Sequence, residues 1–211
     1  MRVGIFGGTF DPVHTGHLIV AEQCRDQTGL DEVWFLPSYH PPHKAAAAIT
    51  RFEQRCDMIE LAIAGNLAFR LERIEKELPP PSYTAETLAE LRRRHADHEF
   101  YLLMGADQLP DLPMWHEPQR VIAQAELVVV PRPGVELWTA EQLAAALGVK
   151  AEQVRMHLAA CPMMEIASRD LRRSIAEGRS VRYLVPRAVE EYIRERKLYG
   201  SSANSGGSVH G

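Results

Sequence analysis

The sequence predicts a doubly wound α/β fold, a parallel sheet with helices on both faces. Three observations carry that expectation. Short apolar runs recur along the chain, and stretches of helical period separate them. Strand and helix therefore alternate, which suits crossover units better than hairpins. A glycine pair, Gly7 and Gly8, follows the first run at the point where such sheets place their ligands.

The first strand is expected at Arg2–Phe6, with a helix starting near His14. A second strand at Glu32–Leu36 leads into "PSYHPPHK", where prolines stiffen a loop that presents His43 and Lys44. Ala45–Ala48 reads as more of that loop. Phe52, Cys56, Ile59 and Ile63 recur at helical spacing and stop at Gly65, a residue suited to ending a helix. A third strand follows at Ala68–Leu71, then a helix carrying Leu88 and Leu91 that Thr84 is expected to cap. Strands at Phe100–Met104 and Leu127–Val130 come next. Thr139 with Gln142 forms a capping box, and a sixth strand is expected at Met163–Ile166 before a last basic segment. Residues 200–211, "GSSANSGGSVHG", have no apolar anchor and read as a disordered tail. The expectation is one domain over residues 1–199.

Composition excludes several classes. With 24 Lys and Arg against 28 Asp and Glu, the net charge of -4 offers no broad basic field for duplex nucleic acid. No apolar run approaches membrane-spanning length, and no secretory leader is evident. Cys24, Cys56 and Cys161 are odd in number and not spaced for zinc, so they read as small buried hydrophobes in a reducing compartment. Cytoplasm is the expected location. Oligomeric state stays open, a homo-oligomer included.

The stretch "GIFGGTFDPVHTGH", Gly4 to His17, carries the chemistry. Gly7 and Gly8 let backbone approach a ligand closely. His14 and His17 lie three apart on the first turn of a helix, beside amides at its positive end. Two imidazoles there suit phosphate oxygens. A lone glycine turn or a lone H-x-x-H is more often an ordinary surface turn. Here strand, glycines, proline and both histidines arrive in order.

The stretch resembles the G-x-F-x-P-x-H-x-G-H signature of the nucleotidylyltransferase superfamily through Gly8, Phe10, Pro12, His14, Gly16 and His17. Class I aminoacyl-tRNA synthetases share H-x-G-H, but this chain is too short for one. Later segments resemble bacterial nicotinate-nucleotide adenylyltransferases: "PSYHPPHK", "PSYTAETL" from Pro81, "LLMGADQLPDLPMWH" from Leu102, "PRPG" with Arg132, and "IASRDLRR" from Ile166. In the last of these, Ser168 and Arg172 match the family's I-S-S-T-x-x-R, while Ala167 and Arg169 depart from it.

The resemblance implies a Rossmann-like enzyme of NAD biosynthesis that joins ATP to nicotinate mononucleotide, giving nicotinate adenine dinucleotide and pyrophosphate. It implies catalytic roles for His14, His17, Lys44 and Arg172. ATP would meet Gly7, Gly8, Thr9, Phe10, His14, His17, Ser168 and Arg172. Nicotinate mononucleotide would meet Thr9, Lys44, Thr84, Asp107, Trp115 and Arg132, with Trp115 stacked on the pyridine ring. Asp107 suits a ribose hydroxyl or a metal. No carboxylate cage is evident, so Mg²⁺ is expected to arrive on ATP rather than in a protein site. The alternatives are nicotinamide mononucleotide or phosphopantetheine as acceptor, or a non-catalytic adenine-nucleotide sensor.

Overall fold

Alternation of side chains within each strand divides the apolar residues between two faces of one sheet. In the computed structural model, which describes residues 1–40, 49–162 and 164–200, the strands are β1 (Arg2–Gly8), β2 (Glu32–Pro37), β3 (Phe69–Leu71), β4 (Glu99–Gly105), β5 (Glu126–Val130) and β6 (Met156–Leu158). They pair in the order β3-β2-β1-β4-β5-β6, and every pair is parallel. Val3, Ile5, Trp34, Leu36, Phe100, Leu102 and Leu127 face one core, whereas Val33, Phe35, Tyr101, Leu103 and Val128 face the other.

Helices cover both faces, as a parallel sheet requires. The first core receives Leu88 and Leu91 from α3 (Thr84–Arg94), Val121 from α4 (Pro118–Gln124) and Leu143 from α5 (Ala140–Leu147). The second receives Cys24 from α1 (Thr15–Thr28), Met58 and Ile59 from α2 (Phe52–Ile63), Leu171 from α6 (Ser168–Ala176) and Val189 from α7 (Arg187–Glu195). This is the doubly wound Rossmann-like arrangement, with its strand order turning back between β1 and β4.

Local signals explain the element ends. The Thr139 hydroxyl accepts from the Gln142 amide at 3.3 Å, and the Gln142 side chain accepts from the Thr139 amide at 2.8 Å, the expected capping box. Tyr83, not Thr84, occupies the cap position of α3. Thr84 is instead the first helical residue and accordingly makes no cap bond. The sixth strand also differs from expectation: it is Met156–Leu158, and residues 164–166 form no strand. β6 is a three-residue edge strand whose Leu158 is 53% exposed. So short and half-exposed an edge carries almost no period-two signal. Ile166 instead packs beside the second core on the way into α6. Cys24 and Cys56 are buried and Cys161 is half-buried, all as free thiols. Among the described residues no helix is long and apolar enough to cross a membrane. Residues 41–48, which include His43 and Lys44, and the tail from 201 lie outside the described residues.

One charged side chain sits inside this frame. Arg55, on the buried side of α2, is 1% exposed. Its Nε donates to the Thr50 carbonyl at 2.9 Å, and its two terminal nitrogens donate to the Thr9 carbonyl at 2.8 Å and the Ser38 carbonyl at 2.7 Å. The fork thus ties the segments leaving β1 and β2 to the start of α2. Arg55→Met keeps the apolar stem and removes the fork, leaving three carbonyls without that donor. We expect a loss of roughly 3–5 kcal/mol in unfolding free energy by urea denaturation. A loss below about 1 kcal/mol would show that the carbonyls find other partners.

Candidate active site

The carboxyl ends of β1 and β4 adjoin where the strand order turns back. A cavity of about 230 Å³ opens there, walled by Gly7, Gly8, Glu75, Thr84, Gln108 and Trp115. Four residues singled out from the sequence, drawn from three separate segments, therefore converge on one space. A Cβ on Gly7 would meet nothing within 4 Å, so backbone here can face a ligand directly. At Gly8 the constraint is internal, because a Cβ would approach the Phe10 ring at 3.1 Å. Trp115 is half-buried and packs against the first core, one side of it lining the cavity.

The histidines stand at the start of α1. Their rings stack, with centroids 3.6 Å apart and planes at 24°. His14 is the cap residue, and its amide donates to His17 Nδ1 at 3.2 Å. With Nδ1 accepting, neutral His17 carries its proton on Nε2 and offers a donor there. Phe10, its backbone at φ 49°, lays a buried ring beside His17 at 4.9 Å between centroids. Gly16 is tight against the pair, since a Cβ would sit 3.0 Å from His14 Nδ1. That nitrogen is buried and has no hydrogen-bond partner among the described residues, an exposed need of the kind that functional sites retain.

Burial sets the charge of the pair. It lowers the His14 pKa from 6.5 to about 4. His17 is held well below the ordinary imidazole value, first by burial and then by His14 and Arg132 nearby. Both rings are neutral at pH 7. The amides at this helix start are also less available than the sequence suggests, because Thr15 donates its amide to the Leu184 carbonyl at 2.9 Å.

Around the pair, Ser168 and Arg172 reach in from α6 and grip the β1–α1 loop. Ser168 Oγ donates to the Pro12 carbonyl at 2.9 Å, and Arg172 donates to the Asp11 carbonyl at 2.6 Å. Arg169 points away, its side chain 84% exposed. Asp107, after β4, pairs with Arg132, after β5, at 3.1 Å. Gly105 leaves room for this pair, since a Cβ there would press on the Asp107 carboxylate and lie 2.9 Å from Arg132 Nε.

Three contributors escaped the sequence reading. Arg55 could have been found, because it falls between Phe52 and Ile59 on the apolar stripe of α2, where a charge needs a reason. Asp11 is 3% exposed and caught from three sides. Glu75 accepts the Tyr39 amide at 3.0 Å, and burial raises its carboxyl pKa; Asp11 falls at a position the signature leaves open, and Glu75 lies outside any motif. Elsewhere, Glu86, His116 and Glu117 bring possible metal ligands within 4.8 Å of one another. All three are exposed, and Arg120 already pairs with both glutamates, so this cluster is a surface ion-pair network.

A cleft at the switch point of a doubly wound sheet, with two imidazoles at the first helix, defines a nucleotide-binding α/β protein. Residues 5–174 match the model of the cytidylyltransferase-like family, and the chain belongs to that family. Among its relatives, a probable nicotinate-nucleotide adenylyltransferase of Thermomicrobium roseum is 46% identical over 198 residues, spanning 94% of this chain and 91% of that one. Another from Exiguobacterium sibiricum is 40% identical over 201 residues, spanning 95% and 100%. The fold is similar to that of Plasmodium falciparum nicotinic acid mononucleotide adenylyltransferase in complex with NaAD, at TM-score 0.75 and 18% identity over 94% of this chain and 97% of that one.

The buried neutral histidines make stability depend on pH. His14 folds with a pKa near 4 against 6.5 in its ordinary state, so the unfolded chain takes the proton first. Stability contributed by this group is present above pH 6.5 and is lost as pH falls toward 4, by at most about 1.4 kcal/mol per pH unit. Urea denaturation at pH 7.5, 6 and 5 should show this decline, with a smaller slope in His14→Gln. Equal slopes in the two proteins would contradict a buried neutral His14.

Proposed function

We propose that this chain transfers the adenylyl group of ATP to nicotinate mononucleotide, releasing pyrophosphate and forming nicotinate adenine dinucleotide for NAD biosynthesis. One observation carries the reading: Gly7 and Gly8 line a cavity walled by Thr84 and Trp115, and the chain leaving them runs to the stacked His14–His17 pair. That is one subsite suited to phosphates beside another suited to a flat ring with an anionic substituent. Relatives named for this activity match nearly the whole chain, which supports the same assignment.

The acceptor brings its own nucleophile. A phosphate oxygen of nicotinate mononucleotide attacks the α-phosphorus of ATP, the bond to the bridging oxygen breaks, and pyrophosphate departs with the electron pair. The protein's task is alignment and charge stabilisation. We assign the Nε2–H of His17 to the oxygens around the α-phosphorus and His14 to the neighbouring phosphates. An adjacent anion favours the imidazolium, so phosphate binding would draw protons onto rings that burial keeps neutral. Arg172 lends positive charge while holding the loop, with Ser168 beside it. Gly7, Gly8, Thr9 and Phe10 offer backbone to the nucleotides, although the Thr9 carbonyl is already held by Arg55.

For the acceptor, Trp115 stacks on the pyridine, Thr84 meets its carboxylate at the start of α3, and the Asp107–Arg132 pair reads ribose and phosphate. Lys44 completes the set on sequence grounds alone. Asp107 is engaged with Arg132. We propose that Mg²⁺ arrives on ATP, where it would neutralise phosphate charge. We place the activity in the cytoplasm, with small molecules as partners and a homo-oligomer compatible with it.

Pyrophosphate release from ATP with each of nicotinate mononucleotide, nicotinamide mononucleotide and phosphopantetheine tests the reading. Release is expected with the first; release only with another acceptor, or with none, would refute it. His17→Ala should lower turnover by about two to three orders of magnitude with the fold retained; near-normal turnover would remove His17 from the chemistry. Trp115→Ala should raise KM for nicotinate mononucleotide more than KM for ATP, since only the pyridine loses a stacking face. Equal changes for both substrates would make Trp115 a packing residue.

A further inference from the structure

The end of the described chain returns to the site. After α7 the backbone turns sharply, with Lys197 at φ 52° and Tyr199 at φ 62°. Both lie in the left-handed region that residues other than glycine seldom adopt unless their surroundings impose it. The turn is fixed by the Leu198 amide donating to the Ile193 carbonyl at 3.0 Å. It delivers the Tyr199 hydroxyl to Asp11 Oδ1 at 2.6 Å, inside the β1–α1 loop and three residues before His14.

Asp11 is a buried carboxyl group in the loop that the proposed activity sets against the phosphates. Left loose, its carboxylate would repel a triphosphate and could turn toward it. Tyr199 holds one oxygen, and the Thr50 amide holds the other at 3.2 Å. Arg172 meanwhile fixes the Asp11 carbonyl. Burial raises the Tyr199 pKa strongly, as does Asp11 itself, so the hydroxyl remains a donor at any working pH.

The geometry points to Tyr199 as a positioning residue for adenylyl transfer: its hydroxyl latches Asp11 and thereby sets the His14–His17 pair for ATP. The inference rests on the activity proposed above, but its effect can also be read from ATP binding alone. Tyr199→Phe keeps the ring and removes only the hydroxyl. A useful control is Tyr192→Phe, because the Tyr192 hydroxyl ties α7 to Asp57 of α2 at 2.7 Å, away from the loop.

The test compares wild type and both variants by steady-state kinetics, with thermal unfolding as a check on folding. Calorimetry with a non-hydrolysable ATP analogue reads binding without turnover. Tyr199→Phe should lower kcat/KM for ATP and weaken analogue binding by roughly tenfold each, with KM for nicotinate mononucleotide within about twofold of wild type. Tyr192→Phe should leave both substrates' constants unchanged even where it lowers the unfolding temperature. Analogue binding by Tyr199→Phe within twofold of wild type would overturn the latch, as would an equal loss for both substrates shared by the two variants. Should wild type release no pyrophosphate with nicotinate mononucleotide, the proposed activity fails, while the analogue titration still decides the latch.

Discussion

The Arg55 guanidinium holds the carbonyls of Thr9, Ser38 and Thr50 at once, and the site's geometry depends on that grip. Chain leaving a parallel strand has carbonyls that the sheet no longer pairs, and buried carbonyls need donors. A planar fork of five N–H groups supplies several from one side chain without losing its charge. Lysine could not reach three diverging acceptors with the same rigidity. Because the donor sits on α2, the second core fixes the loops after both β1 and β2. The histidines inherit their position from that packing.

Further ties close on the same loop from other elements. Ser168 and Arg172 come from α6, and Thr50 precedes α2. Segments more than 150 positions apart in sequence (|i−j| of 156 for Ser168–Pro12) thus meet on a few residues. Phe10 adds the apolar side, its ring against Phe6, Phe35 and His17. The outcome is a β1–α1 loop tied from several elements before any ligand arrives, with two rings that burial keeps neutral and Arg132 near His17. Preorganisation of this kind lets a site stabilise developing charge without reorganising at the moment of reaction.

Much of this was legible in the sequence. The glycine–proline–histidine stretch announced the loop because its residue types serve no ordinary turn, and five of the six strands fell where apolar runs placed them. β6 escaped because a three-residue edge strand buries too little to leave a pattern, while Met163, Met164 and Ile166 imitated one. Ser168 and Arg172 were found by motif, but their bonds to Pro12 and Asp11 are tertiary facts that no local pattern encodes. Arg55 was visible as a charge on an apolar stripe. Asp11 and Glu75 were not, since a buried acid is distinguished only by the partners that the fold brings to it.

The central claim is that the β1–α1 loop is set before the nucleotide binds. A crystal structure of the protein with a non-hydrolysable ATP analogue, superposed on the ligand-free protein, tests it most directly. The account predicts that Cα atoms of residues 8–17 move by less than about 1 Å and that the His14 and His17 rings remain stacked against the phosphates. A loop displaced by more than about 2 Å, or an analogue seated away from both imidazoles, would contradict it.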